Sequence, residues 1–429
     1  MNGKDVDKQR LRHHTVSAMN VLSFIGLLRS IYGKRVPDLE AIQAKGLLAV
    51  KIAQHYALRI DFLDERVCRH LSQLYRNTLS LPAEDVEGLL KSYVSQEWHA
   101  SFSRFSTTPF ASASVGQVHD AILKDGSPVV VKIIKKDFQQ AFLDDLRSLR
   151  RILRAVLFVY PKLRKVFDPM GILDHIEDYT LRELNLLNEI DGQKKLEAIR
   201  QTYQDRFDLS KLKFPQFHED LSNERVLVAE KLMGKTFDEL LEAGDMPYET
   251  LLDLFNIHGF YLFGPGTFHG DIHPGNVILD DDGSIYLIDT GAISQVGEKI
   301  RKGLFSFFKA LTVYDYEGCV RCLNGMADKG LEGKDYGLFQ DHFVKLYKDF
   351  EGRTVSEVSL TKKMMDTIKT AVHCGMEFER GMFSIIKSLM YLDGMVLRCN
   401  PDSVLLEDMR PALKRFQNAF NEEDQEENG

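Results

Sequence analysis

The stretch from Phe268 to Gly291, FHGDIHPGNVILDDDGSIYLIDTG, constrains this chain more than any other part of it. Its twenty-four residues hold five Asp, two His and one Asn, broken by two short apolar runs. The runs VIL and IYLI read as strands and DDDGS as the turn between them, so the segment is predicted to fold into a hairpin. A hairpin returns its two ends to one place. Asn276 enters it and Asp289 leaves it, so these two meet at the base, while Asp280, Asp281 and Asp282 fall at the tip. Oxygen donors gathered at the base suit a hard divalent cation with an anionic ligand. The tip needs nothing more than a solvated turn.

Asp271 stands five residues before Asn276, and Asp289 thirteen after it. A protein-kinase catalytic loop has the form H-R-D-x-x-x-x-N followed by D-F-G. Its first Asp accepts or orients the substrate hydroxyl proton, and the Asn and second Asp hold Mg2+ against nucleotide phosphates. HGDIHPGN and DTG follow that order, which makes Asp271 the catalytic candidate and Asn276 and Asp289 the metal ligands. His269 and His273 flank Asp271 as H-x-D-x-H, a pattern open to a transition metal. No other ligand nearby has zinc spacing, so hydrogen bonds that shape the loop explain them better.

Phosphoryl transfer also needs a cation on the phosphates. VVVKII places Lys132 in a β-run, where the kinase V-A-I-K strand carries its lysine. Its acidic helix partner is offered by Glu183 or Glu189 in DYTLRELNLLNEIDGQKKL. A linking strand, ERVLVAEKL, then runs past Glu230 to Leu232. Each residue alone is commonplace; in this order they are specific. The loop before Lys132 departs from the kinase pattern. In ASASVGQVH, Gly116 is the only glycine, and Ala111, Ser112, Ala113, Ser114 and Val115 carry Cβ atoms where glycines would bring bare backbone amides to phosphate.

The rest of the chain fits around this unit. A length of 429 residues allows two or three domains. Residues 1–104 read as a helical extension and 105–232 as a β-rich lobe with inserted helices. Residues 233–420 read as a helical lobe carrying the catalytic and metal-binding loops, and 421–429 as a disordered acidic tail. The hairpin VGQVHDAIL–KDGS–PVVVKII supplies the first lobe's strands. A net charge of −8 gives no bulk attraction to nucleic acid. Five scattered Cys make no disulfide framework, and Cys319 and Cys322 read as helix residues of a protein in a reducing compartment. The longest uncharged run near the start, TVSAMNVLSFIGLL, is shorter than the ~20 apolar residues of a span and lacks a cleavage site, so it reads as an amphipathic helix. LRSLRRILRAVLFVYPKLRKVF is a basic helix with an apolar stripe. A core-facing helix accounts for it better than one lying on an anionic membrane surface.

The chain resembles the UbiB/AarF atypical kinases over roughly residues 40–415. Their alanine-rich loop, A-A-A-S-[IV]-G-Q-V-H, is similar to ASASVGQVH at Ala111–His119, and their H-P-G-N closes HGDIHPGN. Their K-x-G-Q is matched by KIAQ at Lys51–Gln54, and E-x-D-[FY]-x-x-E-A by ELNLLNEI. Ala53, Asn185, Thr290 and Ile190 replace that family's Gly, Asp, DFG Phe and Ala, which weakens its regulatory features. The resemblance implies an α+β, bilobal protein-kinase-like fold with an N-terminal helical extension and a mostly helical C-lobe. It implies an atypical kinase or ATPase that binds ATP or ADP with Mg2+. Catalysis falls to Asp271 and Lys132. Nucleotide binding falls to Ala111 through Gly116, Lys132, Glu189, Glu230 and Leu232. Regulation falls to Lys51, Gln54 and Glu183, with Lys51 and Gln54 turned toward the active site. The family's setting is isoprenoid quinone biosynthesis and lipid homeostasis. An anionic membrane surface and an isoprenoid or quinone-like lipid are thus expected partners of a soluble or peripheral protein, cytoplasmic or organelle-interior and not secreted. Two rival readings stay open: a nucleotide-dependent lipid-binding scaffold, and a small-molecule phosphotransferase of aminoglycoside-kinase type. KIAQ and ASASVGQVH weigh against the second.

Overall fold

The computed structural model describes residues 21–33, 36–57, 63–75, 80–135, 138–159, 169–378 and 382–426. It divides into two compact units, residues 1–188 with 216–231 and residues 189–215 with 232–429. The architecture is the bilobal, mixed α+β one of the protein kinases. Residues 1–104 belong to the same unit as the first β-sheet, and residues 189–215 belong to the second unit rather than to the first lobe.

The first unit opens with helices α1 (Val21–Ile31), α2 (Leu39–Gln43), α3 (Leu47–Ala57), α4 (Glu65–Leu71), α5 (Ala83–Tyr93) and α6 (Gln96–Ala100). Helix α3 is buried along its whole length, Lys51 and Gln54 included. Strands β1 (Phe102–Ser112), β2 (Gly116–Leu123) and β3 (Pro128–Ile134) follow. They join β5 (Val226–Glu230) in an antiparallel sheet of order β1-β2-β3-β5. The β2–β3 turn forms because Gly126 adopts φ 93° and Asp125 Oδ1 accepts the Ser127 N–H at 2.8 Å. Strand β1 was not expected from FSRFSTTPFAS. It is a half-exposed edge strand with register shifts, so apolar and polar residues do not alternate cleanly along it. Helices α7 (Gln139–Val159) and α8 (Pro169–Glu183) complete the unit. Helix α7 carries the basic amphipathic stretch, with Leu146, Leu149 and Leu157 buried and Arg147, Arg151 and Arg154 outward. Residues 160–167 of that stretch, and residues 15–20 of the early uncharged run, lie outside the described residues.

The second unit takes helix α9 (Leu187–Tyr203) from Glu189 onward, then β4 (Leu212–Lys213), β6 (Lys235–Thr236), α10 (Phe237–Ala243) and α11 (Tyr248–Phe263). Helix α10 is fixed by its ends. Thr236 and Glu239 form a capping box, and Gly244 closes it at φ 75°. Strands β7 (Thr267–His269), β8 (Val277–Leu279), β9 (Ile285–Leu287) and β10 (Ile293–Gln295) follow. They build a sheet of order β4-β9-β8-β6 and a two-stranded β7–β10 ribbon. The remainder is helical: α12 (Glu298–Thr312), α13 (Tyr316–Met326), α14 (Gly333–Tyr347), α15 (Leu360–His373), α16 (Met382–Cys399), α17 (Leu405–Asp408) and α18 (Arg410–Glu426). Helix α18 continues into the stretch expected to be disordered, as far as Glu426. An aromatic-rich core, with Phe260, Phe268, Phe307, Phe339 and Phe343 fully buried, runs through this unit. All five Cys are free. Cys319 is buried on α13 against the Phe307 carbonyl, at 3.7 Å. No described helix is long and apolar enough to cross a membrane.

Candidate active site

In the second unit, the chain FHGDIHPGN passes from β7 through a short 3-10 turn, Pro274–Asn276, into the β8–β9 hairpin. The hairpin register pairs Val277 with Leu287, and the Ile288 N–H then donates to the Asn276 carbonyl at 3.0 Å. Asp289 follows directly, so Asn276 and Asp289 stand at the hairpin base. Asp280–Asp282 form the far tip, where Gly283 takes φ 81° and Asp282 pairs with Lys213 at 2.7 Å, both half exposed. Asp289 itself is exposed and has φ 57°, a left-handed conformation that costs a non-glycine residue about 1 kcal/mol or more and persists where surrounding structure enforces it.

Asp271 is buried. Its position is set by His269, whose Nδ1 accepts the Asp271 N–H at 3.1 Å while its Nε2–H donates to the Ile288 carbonyl at 2.9 Å. Those two bonds fix the neutral tautomer, and burial pushes the ring's pKa down. His273 Nδ1 accepts the Gly275 N–H at 3.0 Å and shapes the turn into Asn276. Both histidines therefore shape the loop, and among the described residues no group of three His, Cys, Asp or Glu could hold a metal ion. Asn276 Nδ2 donates to the Asp271 carbonyl at 3.0 Å, which leaves its amide oxygen as the atom able to meet a cation. With the Asp289 carboxylate this is a hard, all-oxygen donor set of the kind Mg2+ takes.

Lys387 stands outside the residues predicted for the site. It comes from α16, and its Nζ lies 2.9 Å from Asp271 Oδ1, with both side chains 9% exposed. Burial raises the Asp271 carboxyl's pKa. The Lys387 charge and hydrogen bond, helped by His273, outweigh that and hold the group below the usual carboxylate range. The only sign in the sequence was a lysine within the apolar run MFSIIKSLMYL.

The first unit holds the loop and lysine candidates. Ala111 and Ser112 end β1, Ala113 to Val115 form the loop, and Gly116 starts β2. The Ala113 N–H donates to the Gly116 carbonyl at 2.8 Å, and the Lys135 N–H to the Val115 carbonyl at 2.9 Å. Lys135, the second lysine of VVVKIIKK and absent from the predicted set, is buried and donates its Nζ to the Ala113 carbonyl at 2.7 Å. Burial pulls its pKa down to about 8. Lys132 is half buried in β3, between Val118 of β2 and Leu227 of β5. Gln117 and His119 are buried and join at 2.9 Å. His119 Nδ1–H donates to the Ser106 carbonyl at 2.8 Å, and Gln117 Oε1 accepts the Leu81 N–H, so the end of QVH braces β1 and the chain ahead of α5. Lys51 forms an ion pair with Glu183 of α8 and lies over the Tyr179 ring. Gln54 donates to the Leu74 carbonyl at 2.9 Å. Of the two glutamates offered to Lys132, Glu183 is thus paired with Lys51, while Glu189 lies buried in the first turn of α9, in the second unit. Glu230 ends β5, and Leu232 begins the second unit's later segment.

The family model described as ABC1 atypical kinase-like domain matches residues 73–323. An uncharacterized protein from the hydrogenase 1 5' region of Clostridium pasteurianum is 25% identical over 385 residues, covering 89% of this chain and 71% of that protein. A Tolumonas auensis protein named probable protein kinase UbiB is 24% identical over 387 residues, 88% of this chain and 69% of its own. An uncharacterized chloroplastic aarF domain-containing protein kinase of Arabidopsis thaliana is 21% identical over 415 residues, covering 91% and 75%. Among solved structures, a Mycobacterium tuberculosis protein in complex with erythromycin aligns with a TM-score of 0.52 at 20% identity, over 94% of this chain and 99% of that one. That likeness shows the fold.

Proposed function

Since this chain belongs to the ABC1 atypical kinase-like family, that of the UbiB/AarF proteins, we propose that it binds a magnesium–nucleotide and hydrolyses or transfers the terminal phosphoryl group. The observation that carries this reading is the meeting of Asn276 and Asp289 at one hairpin base, with Asp271 tied to Asn276 through its own carbonyl. The oxygen of Asn276 and the carboxylate of Asp289 would hold Mg2+, which supplies charge neutralisation on the phosphates when bound. Lys132 would pair with the phosphates, and Ala111–Gly116 would cover them. Glu230 and Leu232 would border the base, and Glu189 would orient the lysine.

Asp271 is a weak base in this setting, because Lys387 keeps its carboxyl below the ordinary range. A strong general base has a pKa near the working pH. Asp271 therefore acts by orienting a hydroxyl or water, which suits a loose phosphoryl-transfer transition state that asks for positioning more than proton abstraction. The setting carried by the family resemblance is isoprenoid quinone or lipid metabolism. The pair of buried Lys51 with half-buried Glu183 is the regulatory element of this reading. The ion pair on Asp271 favours one second reading, a nucleotide-dependent scaffold with little turnover.

Calorimetry and turnover of point variants separate the possibilities. Asp289→Asn is expected to remove Mg2+-dependent nucleotide binding with the fold intact. Asp271→Asn is expected to keep binding and lose turnover by about 10²-fold, the size of a lost positioning contact. Unchanged Mg-ATP affinity in the first variant would sink the metal assignment. Undiminished turnover in the second would remove the role of Asp271, and binding without turnover in the wild type would establish the scaffold.

A further inference from the structure

The second unit contains a cavity of about 250 Å³ that the proposed chemistry does not use. It lies among α11, α16 and the α17–α18 region, walled by Phe255, Leu262, Leu392 and Phe416, with exposed Glu249 and Arg415 at its rim. Of its other polar side chains, Asp253, Asn256 and Asp408 are half-buried and engaged with Lys211, Arg415 and Tyr248, which leaves His258 as the deeply buried one. His258 of α11 is 3% exposed, and its Nε2 is buried with no hydrogen-bond partner. Leaving such a nitrogen unpaired in the interior is costly, so a partner that enters the cavity gains by satisfying it. The ring is neutral, because burial pushes its pKa down to about 3.

We propose that this cavity binds an uncharged apolar molecule that ends in a hydroxyl, with the hydroxyl on His258. Volume sets the size. A cavity of ~150 Å³ accepts benzene, so this one accommodates a chain or ring of roughly ten non-hydrogen atoms. The orphaned nitrogen sets the polar group. A hydroxyl both donates and accepts, so it satisfies either tautomer of the imidazole. A carboxylate only accepts, and would be stripped of water against an apolar wall.

The cavity also reaches the catalytic loop by two routes. The His258 ring packs edge-on against Phe268, with centroids 5.5 Å apart, and Phe268 precedes the His269 that holds the Asp271 N–H. Helix α16 lines the cavity with Leu389 and Leu392, and the same helix carries Lys387 onto Asp271. An occupant that fixes His258 and α16 fixes both supports of Asp271. This holds whether or not Asp271 takes part in turnover, so the test measures binding and backbone protection rather than activity.

Titration of the full chain with n-octanol and with geraniol, followed by calorimetry, is expected to give saturable one-site binding, with octanoate at least tenfold weaker than n-octanol. Tighter geraniol binding assigns the site to branched isoprenoid chains, and tighter n-octanol to straight chains. His258→Phe keeps a ring and is expected to weaken n-octanol binding about tenfold, the size of one hydrogen bond. Leu252→Trp, which fills the cavity from α11, is expected to abolish binding; an unchanged melting temperature verifies its fold. Hydrogen exchange of amides 268–276 is expected to slow with alkanol in the wild type and not in Leu252→Trp. Absence of saturable binding, or equal affinity in the wild type and both variants, overturns the site. Binding without slowed exchange overturns its link to the catalytic loop.

Discussion

Replacing Lys387 with methionine tests how the Asp271 site is held together. The methionine fills nearly the same volume and removes only the charge. In the native protein the pair is buried on both sides, so removing one partner strands a carboxylate, a change that costs about 3–5 kcal/mol in comparable settings. For a unit of 150–250 residues each kcal/mol shifts Tm by ~2–4 °C, so a fall of roughly 6–20 °C is expected near pH 7. The pH dependence gives the sharper test. In the wild type the Asp271 pKa is depressed, so the pair's stabilisation is complete above the unfolded value near ~3.9 and is lost as pH falls through the folded value. In Lys387→Met only burial and the nearby Asp289 charge remain to oppose His273, and the folded pKa rises above the unfolded one. The sign then reverses. The variant is hurt most above its raised pKa and recovers as pH falls toward 4, where Asp271 takes up a proton. Differential scanning of wild type and variant at pH 7 and pH 5 should show the gap narrowing at the lower pH. The double variant Lys387→Met/Asp271→Asn should regain most of the loss. A gap below about 2 °C at pH 7, or the same gap at both pH values, would refute the reasoning.

Two further outcomes follow from one contact in each unit. Below pH 8 the buried Lys135 ammonium costs stability, because burial holds its folded pKa at about 8 against an unfolded value near ~10.4; that cost is relieved as pH rises between the two, so the wild type should gain on Lys135→Met by on the order of 1 kcal/mol per pH unit there. Parallel denaturant curves across that range would show the assignment to be wrong. A Cβ placed on Gly192 would overlap the Thr290 carbonyl and come within 2.9 Å of Ile293 Cγ1, so Gly192→Ala should cost about 1–3 kcal/mol by overpacking and displace Asp289 with Thr290. Wild-type Tm together with wild-type Mg-ATP affinity in that variant would mean the contact does not position the proposed metal ligand.

What could be read from the sequence were features whose cause is local. The tip glycines of KDGS and DDDGS both take positive φ, and in both turns an Asp oxygen accepts the N–H two residues on. Thr236 and Glu239 stood three apart before an apolar run and form the capping box. The hairpin that joins Asn276 to Asp289 follows from two strands and a turn, so the meeting of these two candidate residues was readable too. Features that depend on distant packing were not. Strand β1 is polar and exposed at an edge, and its pairing comes from β2 rather than from its own pattern. Residues 189–215 look like a continuation of the first lobe, yet their buried Leu196, Phe207 and Leu209 join the second unit's core. Lys387 lies more than a hundred residues from Asp271, and His258 is a histidine in a helix until Phe268 and the cavity wall are placed beside it.

The departures from the family pattern can be weighed by what their side chains touch. Thr290, in place of the phenylalanine of D-F-G, is fully buried, and its Oγ1 donates to the Glu189 carbonyl at 2.6 Å. Its own carbonyl faces Gly192 so closely that no Cβ fits there. The first two turns of α9 therefore grip the backbone next to Asp289 by a hydrogen bond and a glycine approach, where a large ring would wedge the two apart. This gives Asp289 its left-handed backbone by direct tethering. Ala53 acts similarly in α3. It is fully buried in mid-helix, where alanine favours the helix over glycine by about 1 kcal/mol. A stiffer α3 holds Lys51 on Glu183 and Gln54 on the Leu74 carbonyl as one piece with the helix. Both replacements exchange a residue that permits movement or fills space for one that fixes backbone beside a site residue. On the proposed reading they hold Asp289 and the Lys51–Gln54 turn more firmly than the residues they replace would, whereas the Lys387–Asp271 pair joins two side chains that can part, and its helix borders the cavity.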